Sequence, residues 1–205
     1  LRKNGIKRRI LLLETALPVH AKEIVDYDLT PTVCTVSLAA ALNAYAKKTD
    51  RRLAVHIKVD TGMGRMGVSH RDAAHFIREV ARYSHLSVEG ICSHFPLADT
   101  NPDFTRSQVQ DLTQLVRELD QSGLIVPYIH AANSAGLARY QTLILNVGRP
   151  GLLLYGLYSD PENRGRITLR PAMRVRARVI FVKQIAQGQG ISYGHTFVAP
   201  RDMTV

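Results

Sequence analysis

The sequence predicts an α/β domain on parallel strands, an incomplete (β/α)8 TIM-type barrel, followed by the start of an all-β domain. Three observations predict it. Short apolar runs alternate with helical patterns through residues 1–165, as in repeating strand–helix units. The runs are near-continuously apolar, as expected of strands buried on both faces of a parallel sheet. After Pro171 the pattern changes to strict alternation, the mark of a half-exposed antiparallel strand.

Strands are expected at Ile10–Glu14, Thr32–Val36, Leu53–Val59, Leu86–Ser93, Tyr128–Ala132 and Ile144–Val147. A complete barrel needs eight strands, so about two lie outside this chain. Ser37 is expected to cap a helix running to about Lys48, and Ser69 one running to about Tyr83 with Phe76, Ile77 and Val80 on one face. A third helix, Thr105 to Gln121, places Val109, Leu112, Leu115, Val116 and Leu119 at i, i+3, i+4, i+7 spacing. The repeating unit fits either a doubly wound sheet or a closed barrel. The number of expected strands, six, favours the barrel. Pro161–Arg166 is polar and turn-rich and separates two domains, 1–165 and 170–205. In Met173–Ile185, Val175, Ala177, Val179 and Phe181 share one face, and Arg174, Arg176 and Arg178 share the other.

Composition narrows the function. With 45% hydrophobic and 21% charged residues, the 205-residue chain has the balance of a soluble globular protein. No run of about 18 apolar residues could span a membrane. No charged start leads into an apolar signal core, so a cytoplasmic location is expected. The first residue is Leu1 rather than Met, as expected if the true beginning is missing. The net charge of +10 would suit nucleic acid. However, the basic residues are scattered (Lys7–Arg9, Arg51–Arg52, Arg174–Arg178) without interleaved aromatics, so solvated faces explain them and no nucleic acid is expected. Cys34 and Cys92 lie in apolar runs without metal-ligand neighbours, so buried free thiols and no metal are expected.

Barrel enzymes carry their chemistry on the loops after the strands. Four polar clusters sit there: Lys58-Val59-Asp60-Thr61-Gly62-Met63-Gly64-Arg65, Ser93-His94-Phe95 with Asp99, Asn133-Ser134-Ala135-Gly136, and Gly148-Arg149-Pro150-Gly151. In the first, two glycines let the backbone turn sharply behind a Lys and an Asp; a plain turn with a surface ion pair is the simpler reading of that segment alone. The last two follow the final strands, where barrels commonly hold phosphate on backbone N–H groups and a hydroxyl. Ser134, Gly151 and Leu152 can supply such donors, although Asn133-Ser134 alone would also suit a helix cap.

Five segments carry a resemblance: HIKVDTGMGRMGV (56–68), GICSHFPLAD (90–99), HAANSAG (130–136), VGRPGLLLYGL (147–157) and ISYGHTF (191–197). In this order, with near-family spacing, they resemble the signature segments of the pyridoxal-phosphate-dependent alanine racemase family. The resemblance implies a pyridoxal 5′-phosphate-binding barrel followed by a β domain, and a homodimer whose active site is shared across the interface. By the same resemblance, Tyr193 matches the catalytic tyrosine, which reaches into the partner subunit's site. Arg149 matches the arginine facing the pyridine nitrogen, and His94 the histidine between that arginine and the tyrosine. Ser134 and Asn133, with backbone groups of Gly151 and Leu152, match the phosphate-binding set. Arg65 matches the arginine near the cofactor's phenolic oxygen and the substrate carboxylate, and Lys58 a lysine that is carbamylated in several members.

The implied reaction interconverts L- and D-alanine, supplying D-alanine for bacterial peptidoglycan. Racemisation takes a proton from one face of the α-carbon and returns one to the other, so it needs two bases: the family's cofactor lysine and Tyr193. A free tyrosine has a pKa near 10, so a chain through His94 and Arg149 would have to stabilise the tyrosinate. An arginine at the pyridine nitrogen keeps its proton, which leaves that nitrogen an acceptor and the electron sink weak. The family's V-K-A-N-A-Y-G-H-G lysine strand is not in this sequence, so the chain alone is expected to be inactive. A rival reading makes Lys58 the cofactor lysine. Alternatives are a racemase for serine or another small amino acid, and a non-catalytic pyridoxal-phosphate-binding barrel. ISYGHTF and the second domain argue against the latter.

Overall fold

The computed structural model describes residues 1–140 and 144–205. These form two compact units, Leu1–Ala172 and Met173–Val205. The first holds β1 (Leu11–Thr15), α1 (Ala21–Asp26), β2 (Thr30–Val33), α2 (Val36–Lys48), β3 (Leu53–Asp60) and β4 (Val68–Ser69). It continues with α3 (Ala73–Ala81), β5 (Leu86–Cys92), α4 (Pro102–Gln121), β6 (Tyr128–His130), α5 (Ser134–Arg139) and α6 (Gly151–Leu154).

Strands pair in the order β1-β2-β3-β5-β6, with the short β4 beside the end of β3, and every pairing is parallel. This order decides between the two architectures. A doubly wound sheet reverses its strand order at a switch point; here the order never reverses, as in a barrel wall. The unit is an incomplete TIM-type barrel with five consecutive wall strands. The core matches the continuous apolar runs: Val55, Ile57 and Val59 of β3 are buried together with Val33 of β2 and Ile91 of β5.

The helices follow the predicted faces, with shifted caps. α2 is capped by Thr35, whose hydroxyl accepts from Leu38 N–H at 3.3 Å, rather than by Ser37. α3 begins after Asp72 rather than Ser69, which instead opens the preceding turn, and it buries Phe76, Ile77 and Val80. α4 starts one turn early, because the Asn101 side chain accepts from Phe104 N–H and Pro102 is preorganised for the first turn.

Two expected strands do not form. Ile144–Val147 is irregular. Nearby hydrogen bonds from Asn146 N–H to Ile129 O (3.0 Å) and Arg149 N–H to Ala132 O (3.1 Å) do hold the chain alongside β6. Two such contacts are too few for a ladder. The long strand Met173–Ile185 is also absent. The second unit has only the two-residue strands β7 (Gln184–Ile185), β8 (Gly190–Ile191), β9 (Phe197–Val198) and β10 (Met203–Thr204). They pair antiparallel, β7 with β10 and β8 with β9. Residues 173–182 have no ladder partner among the described residues, and Val175, Val179 and Phe181 are exposed. Alternation marks which face would turn inward, but a strand needs a neighbour to satisfy its backbone.

The cysteines are both free; Cys92 is buried and Cys34 only half-buried, short of the full burial expected. No described helix is long and apolar enough to cross a membrane.

Candidate active site

The loop after β3 is held by its own first residue. The Asp60 carboxylate accepts from the N–H groups of Gly62 and Met63, both at 2.9 Å, and from Gly64. The chain then folds back so that β4 pairs with the end of β3. Gly67 is required at that fold: its φ is +126°, and a Cβ would lie 2.7 Å from the Asp60 nitrogen. Asp60 therefore acts as a loop cap that presents Arg65, and not as the partner in a surface ion pair.

Lys58, two residues earlier, is buried. Its Nζ donates to the Ser93 carbonyl at 3.3 Å. Burial lowers the lysine pKa, and the Arg149 and Arg65 charges lower it further against the raising effect of Cys92. Beneath the loops, Thr61 and Ser93 hydroxyls are 2.7 Å apart, joining the ends of β3 and β5. Gln108 of α4, fully buried, donates to Thr61 Oγ1 (2.9 Å) and to the His94 carbonyl (3.0 Å). It ties the helix to both loops. Sequence reading passed over it, although Thr105 and Gln108 extend the buried stripe of Leu112, Leu115 and Leu119 by one turn.

Arg149 is the hub. Its Nη2 donates to the carbonyls of Ser93 (2.7 Å) and Ala131 (3.1 Å) and lies 3.4 Å from His94 Nδ1. Its Nη1 is 2.5 Å from Nδ1 of His130, a wholly buried residue at the end of β6. His130 was not among the expected site residues, although it opens HAANSAG; a histidine at a strand end three residues before Asn133 was the available signal. Burial, then the Arg149 charge, push His94 down to about 4 and His130 to about 3. Both imidazoles are neutral at pH 7.

Asn133 caps α5, its Oδ1 accepting from Gly136 N–H at 3.0 Å and its Nδ2 donating to the Phe95 carbonyl at 2.9 Å. The Ser134 hydroxyl accepts from Leu153 N–H of α6 at 3.3 Å, which joins the α5 and α6 loops. Gly151 N–H turns back to the Arg149 carbonyl at 2.9 Å. These groups line a cleft of about 640 Å³ together with Leu13 and Glu14 of β1, Lys58, Arg65, Cys92, His94, Asp99, His130 and Leu152. The structure thus gathers Lys58, Arg65, His94, Asn133, Ser134, Arg149, Gly151 and Leu152 at the carboxyl ends of β1, β3, β5 and β6, where barrels place their sites. Tyr193 is in the second unit and is 98% exposed, on a tight turn where Ser192, Gly194 and His195 all have positive φ.

A model of the alanine racemase N-terminal domain matches residues 1–159, and one of the alanine racemase C-terminal domain matches residues 172–205. The chain belongs to the alanine racemase family. Alanine racemase 2 of Clostridium acetobutylicum is 36% identical over 207 residues, covering 100% of this chain and 52% of its own length. The solved alanine racemase of Clostridium difficile 630 superposes with a TM-score of 0.84 at 30% identity, covering 99% of this chain and 54% of that one. A histidine racemase from Leuconostoc mesenteroides subsp. sake superposes at 0.76 with 26% identity, covering 99% and 55%. The chain spans about half the length of the curated relatives it matches.

Proposed function

We propose that the full-length protein interconverts L-alanine and D-alanine using pyridoxal 5′-phosphate, in the cytoplasm, as a homodimer. Its product would serve peptidoglycan synthesis. The observation that carries this reading is the cleft. Arg149 is fixed by four acceptors, beside neutral histidines, and Ser134 stands at the joined ends of α5 and α6. Such a set fits the proposed group, with a hydroxyl and Leu152 N–H for a phosphate and a permanent donor for a ring nitrogen. When bound, pyridoxal phosphate supplies an electron sink for the α-carbon's electrons.

In this reading Ser134, Asn133, Gly151 and Leu152 hold the phosphate, and Arg149 donates to the ring nitrogen without yielding its proton. Arg65 orients the substrate carboxylate. Lys58, whose amine burial biases toward the free base, is suited to take up carbon dioxide as a carbamate, an anion that would steady Arg65. His94, between Arg149 and the open cleft, helps Tyr193 of the partner subunit hold and release a proton. Residues 1–165 then form the cofactor-binding domain and 170–205 the start of the tyrosine-bearing one. The chain expressed alone should be inactive, since it carries one of two bases.

A chiral chromatographic assay of the full-length protein in deuterium oxide tests this. L-Alanine should yield α-deuterated D-alanine, dependent on added pyridoxal phosphate. If deuterium enters without inversion, or no D-alanine forms, the reading is wrong. A second reading is a racemase for another amino acid, favoured by the likeness to a histidine racemase at TM-score 0.76. Serine and histidine in the same assay decide it.

A further inference from the structure

Beneath Arg149 lies a second histidine. His130 Nε2 is 2.8 Å from Nδ1 of His56, midway along β3, and both rings are buried. The sequence places His56 in the middle of an apolar strand, where it reads as filler. The surrounding backbone is built for it. β5 carries one extra residue at this level: Val55 faces Val88, but His56 faces Gly90, so Glu89 is the bulged residue. The bulge sets a glycine opposite the ring, and a Cβ on Gly90 would lie 2.3 Å from His56 Nδ1. Tyr128 of β6, paired with Gly90, stacks with His56 across that glycine, at 6.1 Å between ring centroids.

The protons on this chain have one consistent arrangement. Arginine only donates, so His130 Nδ1 must accept. A neutral His130 then carries its proton on Nε2 and donates it to His56 Nδ1, which leaves the His56 proton on Nε2. Burial depresses both histidines, to about 3 and about 4, so the neutral forms are the relevant ones. Arg149 Nη2 has two carbonyls to hold it, but Nη1 has only His130 among the described residues. The opposite tautomer of His130 would set an N–H against an N–H.

We infer that His56 is a positioning residue: by accepting the Nε2 proton of His130 it anchors that ring with Nδ1 turned to Arg149 Nη1, and so fixes how Arg149 faces the cleft. Its bearing on the cofactor rests on the function proposed above; the anchoring of His130 does not.

The test labels histidine with ¹⁵N in the full-length protein and reads the His130 ring nitrogens by long-range proton–nitrogen correlation. In the unaltered protein Nε2 should be protonated and Nδ1 bare; the reverse overturns the inference without any variant. His56→Gln keeps an acceptor and His56→Met, similar in size, removes it. Both variants should keep the tautomer that Arg149 dictates, but only His56→Gln should keep the His130 Nε2 proton bonded and slow to exchange with solvent. His56→Met should speed that exchange and weaken pyridoxal phosphate binding about threefold to tenfold in a fluorescence titration. A purely space-filling role predicts that Met serves as well as Gln, and that result overturns the inference. Faster Nε2 proton exchange in His56→Met with unchanged pyridoxal phosphate binding would uphold the positioning role and remove Arg149 from the proposed cofactor contact.

Discussion

The two units treat apolar side chains in opposite ways. In Leu1–Ala172, Leu38, Leu42, Ile57, Ile77 and Leu112 are wholly buried, and polar groups at the strand ends are hydrogen-bonded into one network. In Met173–Val205, Val175 is 88% exposed and Ile180 92%, and only Ile185 and Ala199 are buried apolar residues. Helices and parallel strands bring their own cover: each strand–helix unit supplies the helix that hides its sheet. An antiparallel segment depends on a partner strand distant in sequence, and the alternating pattern of 173–182 specifies a face without supplying that partner. The difference teaches that periodicity fixes orientation, whereas burial and pairing are properties of neighbours.

That comparison can be broken at its most exposed point. Tyr193, at 98% exposure, contributes nothing to the packing of its own unit, yet the proposed function makes it a base. In the full-length protein Tyr193→Phe should lower turnover in both directions by about 10²–10⁴-fold, the contribution of a positioned base. Exchange of the α-proton with solvent should survive for one enantiomer and be lost for the other. Mixing the variant with one lacking the cofactor lysine should restore part of the activity through sites shared between subunits. Equal loss of exchange for both enantiomers, with no rescue, would make Tyr193 structural.

Packing supplies the next largest effect. Leu112→Ala, in the core of the first unit, should cost about 2–5 kcal/mol in urea unfolding. A loss under about 1 kcal/mol would mean that the α4 face is not packed as described.

The neutral histidines set a pH dependence confined to the first unit. His56, His94 and His130 have depressed folded-state values, about 4, 4 and 3 against 6.5 when unfolded. Between those limits the unfolded chain binds more protons than the folded one, so stability rises with pH. Their contribution is complete above pH 6.5 and lost progressively as pH falls toward 3–4. Urea midpoints should fall between pH 7 and 4, and His130→Asn should flatten that slope; an unchanged slope would show that folding does not depress the His130 pKa.

The smallest effect belongs to the exposed face. Phe181→Ser in this chain should shift stability by less than about 0.5 kcal/mol. A full-length protein that loses far more would show that the rest of the polypeptide covers this segment, and would sharpen the contrast between a self-covered unit and a dependent one.

Much of the site was legible because its residue types cluster after apolar runs: Lys58, Arg65, His94, Asn133, Ser134 and Arg149 all stand at strand ends in the sequence and all line one cleft. His130, Gln108 and His56 were not assigned roles. Their importance lies in hydrogen bonds to residues distant in sequence, with 74 positions separating His56 from His130 and 47 separating Gln108 from Thr61. Asp60 was visible as a charge, but its use as a cap needed the path of the loop.

By itself the sequence determined the alternation of strand and helix, the faces they bury and which polar residues fall at strand ends, because these follow from local periodicity and turn chemistry. Only the tertiary structure decided the unreversed strand order, the Glu89 bulge that makes room for His56, the single proton arrangement running from Arg149 to His56, and the failure of 173–182 to pair. Each of these depends on which groups meet across long stretches of chain, and a hydrogen-bond donor or an apolar face acquires its role only from the partner it meets.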